Sequence, residues 1–207
     1  MISFPGTLRV HKKLPKEAFY KRLTLTAAAK KHFVSDIDEI YMEWVLSKDG
    51  LHLDQKGTIG EIDILLITLK TKAYAPSVPE ALARGIPHKL LFIMKYEDEV
   101  QPAIHYGHLY AGPWRKEEEI DLKAEGLSID EIWQNFMKRI ILTDLPEEHQ
   151  EDSLKDKVAL QNKITELKKT IDKLEKAVWK EEQPKKKFEI YTKLEAKKKE
   201  LEALIHG

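Results

Sequence analysis

From Ile37 to Leu46 apolar and polar positions take turns. Ile40, Met42, Trp44 and Leu46 alternate with Tyr41, Glu43 and Val45. Successive side chains of an extended chain leave opposite faces, so this period of two predicts a β-strand, with a continuation of the helix before it as the rival reading. Glu61 to Lys70 is nearly continuous Ile and Leu, bounded by Gly57 and Gly60, which predicts a strand buried on both faces. Lys89 to Tyr96 has the same character. Val100 to Tyr110 reads as one further strand, with Pro102 placing its start at a sheet edge, since proline has no ladder N–H to give.

Helical patterns separate these strands. Pro15 suits the first turn of a helix over Lys16 to Leu23, and Thr26 is the expected N-cap of a second, Ala27 to Ser35. Pro76 to Gly85 predicts a third, stopped by its glycine. Ser128 and Glu131 make a capping-box pair ahead of a helix from Ile129 to Leu142. Ile129, Ile132, Trp133, Phe136 and Ile140 fall on one face of it. The expected fold is α+β, a small mixed sheet of about four strands with packed helices. The strand–helix–strand unit from Glu61 to Tyr96 calls for parallel neighbours.

Past Pro146 the period changes again. Leu160, Ile164, Leu167, Ile171, Leu174 and Val178 recur at alternating spacings of four and three, the pattern of a coiled-coil seam. Pro184 interrupts the run. A second helix follows, carrying Tyr191, Leu194, Leu201 and Ile205 in a comparable register, with Lys198 weakening the seam. A stripe this narrow does not hold a helix in water unless something covers it. The simplest cover is the other helix, folded back at Glu181 to Pro184 as an antiparallel hairpin. A homodimer through the first seam is the competing cover. The expected division is a globular domain over 1–146 and a helical hairpin over 147–207. Trp179, next to the seam and near the turn, reads as a partner anchor or as packing within the hairpin.

Charge narrows the choice of partner. The 207 residues carry 35 Lys+Arg against 35 Asp+Glu, a formal net charge of zero. Bulk attraction to a polyanion is therefore not expected. Lys12-Lys13, Lys30-Lys31, Lys185-Lys186-Lys187 and Lys197-Lys198-Lys199 remain local candidates for contact with DNA phosphates, although interleaved glutamates also make a plain solvated face. There is no cysteine, which excludes disulfides, thiolate metal ligands and a cysteine nucleophile. The longest apolar stretches fall well short of the ~20 residues that span a bilayer. The amino end lacks a basic segment followed by an apolar run. A cytoplasmic location is expected.

The candidate chemistry is sparse. Glu61 and Asp63 lie two apart on one strand and share a face. With Lys70 they suggest the site of a divergent metal-dependent nuclease, carboxylates holding Mg²⁺ and lysine steadying the attacking water. Thr68 stands where such sites carry another carboxylate, and alternation sends Lys70 to the opposite face. A strand that begins and ends in solvent is the competing reading. His105 and His108 would share a metal on a helix, but on a strand they diverge. Asp36 and Asp38 suit a turn or cap. No serine-hydrolase elbow, phosphate-binding glycine loop or dinucleotide fingerprint is present.

Several stretches resemble an uncharacterised bacterial family: Ile2-Ser3-Phe4-Pro5, His32 through Ile37, Gly85-Ile86-Pro87-His88, Phe92 through Asp98, and Lys180 through Gln183. The resemblance implies a gene placed beside DNA methyltransferases and superfamily-2 helicases in restriction or phage-defence operons. It assigns no catalytic residue and no cofactor. The expectation is a non-catalytic accessory subunit that docks a helicase or methyltransferase through its sheet domain and hairpin. A Mg²⁺-dependent nuclease and a homodimeric scaffold are the alternatives.

Overall fold

Alternation along the strands decides which helix covers which face. The computed structural model describes residues 2–23, 25–53, 57–143, 145 and 153–206. Pro146 lies outside them. In chain order the first part comprises β1 (Ile2–Ser3), β2 (Arg9–Lys13), α1 (Lys16–Arg22), α2 (Ala27–Ser35), β3 (Ile37–Ser47), β4 (Glu61–Leu69) and α3 (Ser77–Gly85). Then come β5 (Lys89–Tyr96), β6 (Glu99–Tyr106), β7 (His108–Ala111), β8 (Arg115–Lys116), β9 (Leu122–Lys123) and α4 (Ile129–Ile140).

The main sheet has seven strands in the order β2-β3-β4-β5-β6-β7, with β8 also beside β6. β4 and β5 run parallel, joined through α3, and the other neighbours run antiparallel. β1 and β9 form a separate parallel pair. The fold is thus α+β with a mixed sheet, as expected, but the sheet is larger than about four strands. β2 is exposed at every position, so hydrophobic patterning is silent there. The expected single strand from Val100 to Tyr110 is a hairpin, β6 turning into β7 at Gly107, whose φ of 78° suits glycine.

Pro102 is not at the sheet edge. It lies in β6 opposite Ile93, and its carbonyl accepts a hydrogen bond from Gly112 N at 2.9 Å. That side of β6 passes from β8, paired at Val100, to β7, paired at Ala103, so the missing N–H falls between two ladders.

Leu65, Ile67 and Leu69 of β4 and Leu90, Phe92 and Met94 of β5 face one way. They share a core with Phe19 of α1, Ala29 and Phe33 of α2, and Val78 and Leu82 of α3. Each fully buried Phe or Leu contributes about 1.5–3 kcal/mol of transfer free energy. Ile62, Ile64, Leu91 and Ile93 face the other way. There Phe4 meets Trp44 of β3 at 5.3 Å and Phe136 of α4 at 5.9 Å between ring centroids. α4 buries Ile129, Ile132, Trp133, Phe136 and Ile140, the predicted face. Its cap is as expected on one side, Ser128 Oγ accepting from Glu131 N at 3.2 Å. The return bond reaches one residue further back, Leu127 N donating to Glu131 Oε2 at 2.8 Å.

The chain divides into two compact units, Met1–Ile141 and Leu142–Gly207. The second holds α5 (Leu154–Lys180) and α6 (Pro184–His206), which lie against each other. Ser153 caps α5. Pro184 is the first residue of α6, a position where its missing N–H has no partner to lose. Ile164, Leu167 and Leu194 are buried. Leu160, Ile171, Leu174, Val178, Leu201 and Ile205 are half-buried. Lys198 does more than interrupt a stripe, since its ammonium pairs with Glu175 of α5 at 2.9 Å.

Candidate functional site

The parallel register of β4 and β5 brings together three groups that are far apart in the chain. Ile62 stands opposite Lys89 and Asp63 opposite Leu90, so His88, just before β5, lies beside Glu61 and Asp63. Alternation puts all three on one face. His88 Nδ1 lies 2.7 Å from Glu61 Oε1 and 3.0 Å from Asp63 Oδ2. Their ligating atoms all fall within 4.8 Å of one another. Asp63 is buried, with only 4% of its surface exposed, while Glu61 is partly exposed and His88 exposed. Burial pushes the Asp63 carboxyl above its ordinary value, and the charge of Glu61 adds to the rise; the bond to His88 opposes both.

The cluster opens on a cleft of about 670 Å³ lined by Thr58, Ile59, Gly60, Glu61, Pro87, His88 and Lys89. One wall is the segment Thr58–Gly60, which Asp130 of α4 holds in place. Its carboxylate accepts from Thr58 N at 3.1 Å, Thr58 Oγ1 at 2.6 Å and Ile59 N at 3.1 Å. The Thr58 hydroxyl above all, and then the two amides, keep the Asp130 carboxyl below its ordinary value. Gly57 allows this approach, because a Cβ there would lie 1.8 Å from Asp130 Oδ2. Lys89, which also lines the cleft, places its Nζ 5.7 Å from the centre of the Trp133 ring of α4.

The residues singled out for a nuclease-like site divide. Glu61 and Asp63 converge, but Lys70 does not join them. It follows the far end of β4, roughly 23 Å of strand from Asp63, and donates to Val34 O at 3.0 Å. His88 replaces it in the cluster. The sequence signal was slight: a polar residue entering each of two apolar strands, after Gly60 and after Pro87.

Asp36 is a junction residue. It accepts from Ala75 N and from His32 Nδ1, both at 3.0 Å. Asp38 is exposed. His105 and His108 stand on the two strands of the β6–β7 hairpin, and His108 packs on Tyr110 at 4.1 Å. Burial lowers the basicity of His105.

A buried glutamate escaped the pattern altogether. Glu43 sits where the β3 ladder skips between Met42 and Trp44, and is 1% exposed. It accepts from Arg9 Nε at 2.8 Å and lies 2.8 Å from His11 Nδ1. His11, at a φ of 43°, stacks on Tyr41 at 5.0 Å. This group pins the edge strand β2 to the sheet.

The second unit presents a different surface. Trp179, Phe188 and Tyr191 are 86%, 71% and 49% exposed. A groove of about 470 Å³ between the helices is lined by Val178, Trp179, Tyr191 and Leu194, with Glu175, Lys187 and Lys198. Phe188 falls outside the predicted seam, though it precedes Tyr191 by three residues on the same helix.

A family model described as Domain of unknown function (DUF4391) matches residues 2–201. The chain belongs to the DUF4391 family. The match spans the cleft and the α5–α6 pair, so both features lie within the DUF4391 region. No curated protein and no solved structure matches this DUF4391 chain. Among the described residues, no helix is long and apolar enough to cross a membrane.

Proposed function

We propose that this DUF4391 protein is a non-catalytic accessory subunit that docks a protein partner through α5 and α6, paired as an antiparallel coiled-coil hairpin. The observation that carries this reading is the exposure of Trp179, Phe188 and Tyr191 near the turn. Large aromatic rings beside an apolar groove are what protein interfaces bury as anchors. Leu160, Ile171, Leu174, Val178, Leu201 and Ile205 keep part of their surface open, which leaves room for a second copy as well.

The family resemblance directs the partner search to a helicase or DNA methyltransferase of a restriction or phage-defence locus in the cytoplasm. Lys185 to Lys187 and Lys197 to Lys199 add a secondary DNA contact in such an assembly. Co-purification with the neighbouring gene products tests the reading. The expected result is a complex that survives moderate salt and weakens at least tenfold in Trp179→Ala/Tyr191→Ala. No complex across a range of salt concentrations rejects the accessory role, and a complex indifferent to both substitutions rejects the tip as its anchor.

One observation favours a second reading. The convergence of Glu61, Asp63 and His88 beside a cleft is what a divergent metal-dependent nuclease needs, even with Lys70 elsewhere. Incubating DNA with Mg²⁺ or Mn²⁺ decides it: cleavage that disappears in Asp63→Ala favours the nuclease.

A further inference from the structure

We infer that Glu61, Asp63 and His88 form a binding site for one divalent first-row transition-metal ion, with its remaining coordination positions turned toward the cleft. The inference goes beyond docking and does not require DNA cleavage.

His88 Nδ1 faces two carboxylate oxygens, at 2.7 and 3.0 Å. A single N–H donates well to one of them. The contact to Asp63 has hydrogen-bond geometry, whereas Glu61, although nearer, is an ion-pair contact without it. Three lone-pair donors therefore crowd a space in which one proton serves at most two. A metal ion serves all three. An ion with bonds of about 2.1 Å and right-angle geometry places neighbouring ligand atoms about 3 Å apart; the two spacings from His88 match this, and the carboxylate pair lies within 4.8 Å.

The backbone supplies the rigidity that such a site needs. Glu61 and Asp63 are held by the β4 ladder between β3 and β5, and His88 follows Pro87, whose φ is fixed by its ring. Asp63 is anchored deep, while Glu61 and His88 reach the open side. The three ligands thus cap one side of an ion and leave the other side to the cleft. Thr58 and Lys89 also line that cleft.

The donor set chooses the metal. Two carboxylates and one imidazole mix oxygen and nitrogen, which suits Mn²⁺, Fe²⁺ or Zn²⁺; Mg²⁺ prefers oxygen and water alone.

The test uses the full chain after dialysis against chelator and then against Mn²⁺, Zn²⁺ or Mg²⁺ separately. Bound metal is measured by elemental analysis, and free Mn²⁺ by the loss of its six-line paramagnetic resonance spectrum. The expected result is about one Mn²⁺ or Zn²⁺ per chain, with Mg²⁺ held at least tenfold more weakly. Asp63→Asn and His88→Gln should each weaken Mn²⁺ binding tenfold or more, and Lys70→Ala should leave it unchanged. His88 is exposed, so its variant keeps the fold available if Asp63→Asn lowers stability. Wild-type protein that retains neither ion overturns the site. So does retention that both variants leave unchanged, or Mg²⁺ bound as tightly as Mn²⁺.

Discussion

Asp130 shows how much one carboxylate organises. It ties α4 to the wall of the cleft through Thr58 and Ile59, and those bonds lower its pKa from the ordinary 3.8. A group whose folded pKa is depressed adds stability above its unfolded value and loses it as pH falls through the folded one. The denaturant midpoint of wild type should therefore exceed that of Asp130→Asn near neutrality, and the gap should close as pH drops below 3.8. A gap that is constant with pH would falsify the assignment. At neutral pH, Asp130→Ala should cost about 1–2 kcal/mol, from three lost acceptor bonds. At this scale the sequence was half legible. Glu61 and Asp63 are two apart and announce a shared face, but His88 is 25 residues from Asp63 and meets it only through the β4–β5 register. Glu43 was illegible, because a slipped ladder breaks the rule that assigns a face to each position.

Elements with strong periods were read almost to the residue. β3, β4, β5, α2, α3 and α4 lie within a few residues of where the pattern puts them, since burial on defined faces imposes a period that survives in the sequence. The exceptions are strands that are exposed, very short or joined by a tight turn. β2 is exposed throughout, β8 has two residues, and β7 follows so tightly on β6 that the two read as one apolar run. Gly107 is what separates them, and its positive φ offers a check. Gly107→Val should lower stability by about 1–2 kcal/mol, whereas Gly60→Ala, with open space around it, should change it by less than about 0.5 kcal/mol. Thermal or urea unfolding of the two variants measures this. Equal effects would mean that the left-handed turn is not the constraint.

At the scale of the molecule, two compact units differ in how they are held. Met1–Ile141 has a sheet with cores on both faces, while Leu142–Gly207 rests on a thin stripe in which Leu194 is, among the described residues, the buried one of α6. Leu194→Ala removes a buried side chain, a change that typically costs about 2–5 kcal/mol. In this protein the loss should fall on the second unit. Limited proteolysis of the variant should cut within 184–206 at concentrations that leave 2–141 intact. Cleavage distributed evenly along the chain would mean that the units unfold together. The helical pair was legible from spacing alone. The exposed aromatic cluster was not, because a pattern shows which residues are apolar but not which ones are left uncovered.

The two margins of the main sheet constrain how assemblies can form. At one, β2 carries Arg9, Lys12 and Lys13, breaks register with β3 between Arg9 and Lys12, and is tethered by the carboxylate of Glu43. At the other, β7 offers four residues. Cationic, kinked or very short borders are poor templates for an incoming strand. Polymerisation through backbone ladders is thereby discouraged, and recruitment is left to side chains on the helices.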